Sequence, residues 1–313
     1  MHTRKRPADG PPFHGEAQCT RCARRAYYSV GGSALCGHHA DKTARVALPK
    51  NPARHDEESA HIRARSERYE EARARNAAQG RPGDVTCTKI AGIFGAPQHM
   101  DGYVTVLPNF RHGTRRDGSG LPRLSPKSLG PVPHGQPGHP VAASIENMHQ
   151  FSKTWAFELD AQDRVTPEAW ERRKAGYADP VPHRHKFDAA ALKARGAAPT
   201  PAFALYVRPD GSEARLTYVE SRYVYCHWME RLAQREPQWQ QLCKMRADGY
   251  NINISGYDGF TSSDTPWAHY LDGSRPFGHE KVLEAMLTIA DPRDYPWNRY
   301  RREHAELYDG WID

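Results

Sequence analysis

Two pairs of metal-type ligands near the N-terminus constrain this chain more than any other feature. Cys19-x2-Cys22 is followed, after 13 residues, by Cys36-x2-His39. Zinc takes four sulfur or nitrogen ligands in a tetrahedron, and a two-residue spacer lets one tight turn present both members of a pair to the same ion. Gly31-Gly32 between the pairs suits a hairpin or knuckle. His38 is an alternative fourth ligand, and plain thiols in an unstructured arm are the alternative to a metal site. A small module holding structural zinc is expected over residues 16–45, with Cys19, Cys22, Cys36 and His39 as its ligands. Cys87, Cys226 and Cys243 have no paired partner and read as small buried apolar residues.

The charge is concentrated in the same region. Residues 1–84 carry 16 Lys/Arg against 10 Asp/Glu, whereas the remaining 229 carry 28 against 27. A basic surface over the whole protein is excluded, and nucleic-acid contact is expected only through the N-terminal segment. Residues 1–15 read as a basic, proline- and glycine-rich arm. Residues 46–84 read as a charged helix or linker, because Glu57 to Asn76 has helix formers and no apolar stripe. No stretch approaches the ~20 apolar residues of a membrane helix. The polar N-terminus lacks the apolar core of a signal peptide, so an intracellular location is expected.

From Val85 onward the pattern is that of an α+β domain running to residue 313. Tyr103 to Leu107 is a β-branched and aromatic run, a strand. Residues 111–140, rich in Gly, Pro, Arg and His, form a long irregular segment whose Arg111, His112, Arg115 and Arg116 suit either phosphate or solvent. Ser144 caps a helix, and Thr166-Pro167-Glu168 starts another. Phe203–Val207 and Arg215–Val219 flank Asp210-Gly211 as a β-hairpin. Thr217 and Glu220 form a capping box for a helix to about Gln234. Pro237 opens a further helix, Ile252 and Ile254 mark a short strand, and a final apolar helix covers about 276–289. No alternating βαβ pattern is visible. His183-Arg184-His185-Lys186 reads as a solvated loop, with phosphate or metal binding as its alternatives.

Glu146, Gln150 and Lys153 stand at i, i+4 and i+7, on one face of the helix that Ser144 caps. A carboxylate, an amide and an ammonium on one stripe make a poor core and a good wall for a polar pocket. The plain alternative is a first-turn carboxylate answering the helix dipole, with a solvated lysine. Further along, Gly256-Tyr257-Asp258-Gly259 holds a carboxylate in a turn, and Arg275-Pro276-Phe277-Gly278 leads into the last helix.

This order of elements resembles the NADAR (YbiA-like) superfamily over about residues 124–290. The family's signature helix carries Glu-x3-Gln-x2-Lys, matched here by Glu146, Gln150 and Lys153. Its closing Trp-Gly-Asp turn, Asn-x-Leu-Gly and final apolar helix correspond to Gly256–Gly259 and to Arg275–Gly278 leading into Val282 to Leu287. The chain departs from the family at Asn147, where a His is usual and the His stands at His149 instead, and at Tyr257 in place of Trp. The chain as a whole also resembles uncharacterised proteins encoded by giant DNA viruses, which implies a host-cell or virion setting.

The resemblance implies a mainly helical α+β domain that cleaves an N-glycosidic bond of an ADP-ribosyl or phosphoribosyl substrate. It implies Glu146 and Asp258 as the catalytic carboxylates, and Gln150, Lys153, Tyr257, Arg275 and His149 as substrate-binding groups. Carboxylates suit this chemistry because departure from C1 of a ribose builds an oxocarbenium-like cation. The alternative is a non-catalytic, zinc-containing protein that binds nucleic acid or belongs to a virion.

Overall fold

The computed structural model describes residues 17–22, 26–31, 33–36, 39–41, 43–48, 52–90, 96–109, 113, 118–260, 264–308 and 310–312. The chain divides into two compact units, Met1–Glu67 and Arg68–Asp313. The basic arm over 1–15 and His38 lie outside the described residues, as do Arg111, His112, Arg115 and Arg116.

In the first unit, β1 (Tyr28–Val30), β2 (Ser33–Leu35) and β3 (Val46–Ala47) form an antiparallel sheet of order β2-β1-β3. Its buried cluster is small: Cys19, Leu35, Cys36 and Ala40, with Cys22, Tyr28 and Val30 packed against it. The long helix α1 (Pro52–Ala78) follows. Its last turns, which belong to the second unit, are not simply solvated. Ala72 and Asn76 are buried. Tyr69 meets the Tyr250 ring edge-on at 6.1 Å, and the Tyr250 hydroxyl donates to Glu70 at 2.7 Å. Asn76 Nδ2 donates to Gly249 O and to Asn251 Oδ1, each at 2.8 Å.

The second unit is built on two sheets. Strands β4 (Val85–Lys89), β5 (Tyr103–Leu107) and β6 (Ser119–Gly120) belong to the first. Next along the chain come α2 (Ile145–Ser152), the two-residue β7 (Lys153–Thr154), α3 (Pro167–Ala178) and α4 (Ala189–Ala194). They are followed by β8 (Phe203–Val207), β9 (Glu213–Leu216), α5 (Tyr218–Ala233), α6 (Pro237–Ala247) and β10 (Asn251–Gly256). The chain closes with α7 (Pro266–Leu271), α8 (His279–Thr288), α9 (Pro296–Glu303) and α10 (Ala305–Tyr308).

The first sheet has the order β4-β10-β5-β6, and each of its pairings is parallel. The mix of helices and short strands is the expected α+β, but the parallel pairing is not anticipated by a sequence with no alternating βαβ pattern. β10 inserts between β4 and β5 from more than 140 residues away, and such a pairing leaves no local signature. The central strand β10 is buried on both faces, as parallel strands usually are: Ile252, Ile254, Asn253 and Ser255 are all inaccessible. The polar members are paired within the sheet. Thr88 Oγ1 donates to Asn253 Oδ1 at 2.9 Å, and Asn253 Nδ2 donates to Gln98 O at 2.8 Å. The second sheet is antiparallel, β7-β8-β9, and contains the expected hairpin.

One core runs from the parallel sheet through α8 and α5 to α2 and the aromatic C-terminal segment. It includes Val106, Ile145, Met148, Cys226, Met229, Val282, Leu283, Trp297 and Tyr308. Cys87 and Cys226 are buried and Cys243 half-buried, as the sequence suggests.

Candidate functional site

Parallel strands bring their carboxyl ends to one edge, and open α/β sheets place ligands there. At this edge lie Lys89 at the end of β4, Pro108 and Asn109 just after β5, and Tyr257 and Asp258 just after β10. Asn109 Nδ2 donates to Ser255 O at 3.3 Å, and Ile90 N donates to Gly256 O at 2.8 Å, which ties the three strand ends together. The Lys89 ammonium stands 4.4 Å from the centre of the Phe260 ring. Tyr257 and Asp258 are both half-buried.

Helix α2 supplies the second part. Ser144 caps it by accepting from Asn147 N at 3.1 Å. The capped helix carries Glu146 and Gln150 on one face as the spacing requires, but it ends at Ser152; Lys153 is extended, in β7, and still reaches Gln150. Gln150 Nε2 donates to Glu146 Oε1 at 3.4 Å, and Lys153 Nζ donates to Gln150 Oε1 at 3.1 Å. These two bonds fix which way the Gln150 amide faces. Burial pulls the Lys153 ammonium below the ordinary lysine value; Glu146 and Asp258 push it back up, and Arg184 acts with burial. The Glu146 and Asp258 carboxylates therefore act on one ammonium. Both also act on the buried Tyr225 hydroxyl of α5, which burial and the neighbouring Glu280 push well above the ordinary tyrosine value.

His149 packs its ring 5.0 Å from that of Tyr225, and burial holds its imidazole well below the usual histidine value. Asn147, at the position where the resembled family has a histidine, faces the loop after α3: its Nδ2 donates to Asp179 O at 2.8 Å, and its Oδ1 accepts from His183 N at 3.0 Å. Among the described residues no hydrogen bond brings Arg275 to the stripe. Its guanidinium is held by Asp264 at 2.7 Å and Asp272 at 2.5 Å.

Two features of this region are not visible in the sequence. Glu280, in the first turn of α8, is fully buried, and neither of its carboxyl oxygens has a hydrogen-bond partner. It reads in sequence as one more residue of an apolar helix. Tyr225 reads as core aromatic, and it is buried, but its hydroxyl also feels the charges of Glu280, Glu146 and Asp258.

In the loop expected to be solvated, Arg184 and Lys186 are exposed and His183 is half-buried, but one residue is packed. His185 is buried, stacks on Phe151 with ring centres 5.2 Å apart, and lies 3.3 Å from Glu158. Glu158 is buried too; it accepts from Trp155 N at 2.9 Å and from Arg172 Nη1 at 2.5 Å. A small cleft is lined by Phe151, Lys153, Glu158, Arg173 and His185. It shares Lys153 with the stripe but includes neither Glu146 nor Asp258.

In the first unit, Cys19, Cys22, Cys36 and His39 converge, with their ligand atoms all within 4.8 Å of one another. Cys19 Sγ is 3.4 Å and Cys36 Sγ 3.7 Å from His39 Nδ1, and Cys22 Sγ is 3.8 Å from Cys36 Sγ. Burial works to raise the Cys19 thiol, but backbone groups of Cys36 and Arg21 and the side chains of His39 and Cys36 bring it down to about 6. Four such atoms can hold a metal ion. No helix among the described residues is long and apolar enough to cross a membrane.

No family model matches this chain, and no curated protein or solved structure matches it either.

Proposed function

We propose that the second unit hydrolyses an N-glycosidic bond of an ADP-ribosyl or phosphoribosyl substrate, as a divergent NADAR-like enzyme. The observation that supports this reading is the hydrogen-bonded row of Glu146, Gln150 and Lys153, whose ammonium the charge of Asp258, from a segment more than 100 residues away, also influences. A carboxylate facing C1 of the ribose stabilises the oxocarbenium-like cation or activates the water that attacks it. Glu146, oriented by Gln150, takes that role, and Asp258 is the second carboxylate. Lys153 holds the substrate phosphate, and Tyr257 and His149 line the sugar or base side. Arg275 joins them if substrate displaces Asp264 or Asp272 from its guanidinium.

The test is release of ADP-ribose from an oligonucleotide carrying ADP-ribosylated guanine. Glu146→Gln is expected to lower the rate by about 10²–10⁴-fold with folding unchanged. Equal rates in variant and parent would remove Glu146 from the mechanism. If the parent itself releases nothing from this substrate or from ribosylamine phosphates, the enzymatic reading falls.

The metal of the first unit is zinc in this reading, with a structural role. A tetrahedral zinc site has edges of about 3.8 Å between sulfurs and about 3.6 Å between sulfur and nitrogen. The separations of 3.8, 3.4 and 3.7 Å lie close to those values. This ligand group, in the segment that holds the excess of positive charge, also favours a second reading in which the chain is a non-catalytic nucleic-acid-binding or virion protein. Salt-sensitive nucleic-acid affinity in a parent without hydrolase activity would select it.

A further inference from the structure

Among the described residues Glu280 is the fully buried carboxyl group beside the site, and the backbone around it is shaped to admit it. A Cβ on Gly256 would fall 1.6 Å from Glu280 Oε1. A Cβ on Gly278 would fall 2.8 Å from Glu280 Oε2 and 3.2 Å from Asp258 Oδ2. Both glycines thus leave room for acids, and the Glu280 and Asp258 carboxyl groups are neighbours across Gly278. The position of Gly256 is set by β10 and that of Gly278 by the N-terminus of α8, so this cradle is part of the frame of the unit.

The described elements packed against Glu280 offer it few counter-charges. From α8 itself, His279 Nδ1 lies 3.2 Å from Oε2. His279 Nε2 donates to Pro108 O at 3.1 Å, so in the neutral ring Nδ1 carries no hydrogen and is an acceptor. From the end of β10 comes Asp258, a like charge; from α5 comes Tyr225, neutral at ordinary pH; from β4 comes the Cys87 thiol. Lys281, the next residue, pairs with Glu284 instead. Among the described residues no cationic Lys or Arg pairs with Glu280. A buried carboxylate without a paired cation is disfavoured by several kcal/mol, and two adjacent carboxyl groups do not readily ionise together.

We propose that Glu280 is a positioning residue that stays a neutral carboxylic acid, with its proton facing His279 Nδ1, so that the single negative charge of the Glu280–Asp258 pair resides on the more accessible Asp258. Burial, the larger effect, and the Asp258 charge raise the Glu280 carboxyl above the ordinary glutamate value, against the opposing pull of His279 and of the Glu280 and Asp258 backbone. The proposal extends the functional reading above, since it says which of two neighbouring acids faces a substrate as an anion. The same holds for any substrate whose reaction develops positive charge there. No bond is made or broken by Glu280; it retains its proton throughout.

The experiment is infrared difference spectroscopy of the full chain, parent against Glu280→Gln, at neutral pH. The carbonyl stretch of a protonated carboxylic acid is expected in the parent and absent from the variant. A second measurement covers the case where the variant is simply less stable. A carboxyl group whose folded pKa is raised contributes stability below the unfolded value that is lost as pH rises through the folded value. Chemical denaturation of both proteins should therefore show the parent losing ground to Glu280→Gln as pH rises above about 4.5. Absence of a parent-only acid band, or a stability difference that stays constant from pH 4 to 8, overturns the proposal. Neither readout depends on turnover. An inactive parent with the acid band would sink the glycosidase reading alone, and an active parent without the band would sink the role of Glu280 alone.

Discussion

Gly176 stands where α3 passes α2, and the ring of Phe151 lies against its backbone. A Cβ at that position would come within 2.2 Å of the Phe151 ring. Elsewhere in a helix, Gly→Ala stabilises by about 0.5–1 kcal/mol through lost chain freedom. Here the methyl group forces Phe151 off its place, and overpacking of this kind costs about 1–3 kcal/mol. The steric effect outweighs the helical gain. Phe151 also carries the stacked ring of His185, so its displacement disturbs the small cleft shared with Lys153. Gly176→Ala is expected to lower stability by about 1–2 kcal/mol, read as a lower midpoint in urea. A variant as stable as the parent would show that Phe151 has room to move. Nothing in the sequence marks Gly176 as a contact; a glycine late in a helix reads as a stop signal, yet the helix runs on to Ala178.

At the scale of elements, the local signals were legible wherever the chain itself completes the bonding. Ser144 caps α2, Thr166 caps α3 by accepting from Ala169 N, and Thr217 and Glu220 close the reciprocal box on α5. Thr217 Oγ1 accepts from Glu220 N at 3.3 Å, and Glu220 accepts from Thr217 N at 2.6 Å. Thr217 is exposed and buries little, so Thr217→Ala chiefly removes a cap. A loss of about 1 kcal/mol is expected in thermal or chemical unfolding, and an unchanged midpoint would mean that the tertiary packing of α5 alone sets its start. The same logic explains what was not legible. The parallel sheet depends on β10 meeting β4 and β5, and no short-range periodicity encodes that pairing. The Glu146–Gln150–Lys153 row was visible because one short stretch of chain carries it, although α2 ends at Ser152 and Lys153 begins β7. The approach of Asp258 and Glu280 was not, because β10 and α8 bring them together. His183 to Lys186 reads as solvated by composition, and burial of His185 follows only from the presence of Phe151 and Glu158.

At the scale of the whole molecule, the two units have very unequal means of holding themselves together. Arg68–Asp313 has a continuous aromatic and aliphatic core from the parallel sheet to Tyr308 and Ile312. In Met1–Glu67 the buried cluster is Cys19, Leu35, Cys36 and Ala40, and two of those four are candidate ligands. A core of that size cannot offset the conformational entropy of ordering about thirty residues. Metal binding would then supply folding free energy directly, as in other small metal-dependent modules. Chelation is expected to abolish the β1–β3 sheet while leaving the larger unit folded. The aromatic residues allow the two to be read separately: all 7 tryptophans lie between Trp155 and Trp311, whereas Tyr27 and Tyr28 are the tyrosines of the smaller unit. Tryptophan emission and its denaturation midpoint should be unchanged by chelator. Amide signals of residues 26–36 should collapse to unfolded positions, and Cys19, Cys22 and Cys36 should become reactive to a thiol reagent. Stoichiometric zinc should reverse both changes. Persistence of the β1–β3 amide signals in excess chelator would show that the sheet holds without metal. A shift in the tryptophan midpoint would show that the larger unit also depends on the ion.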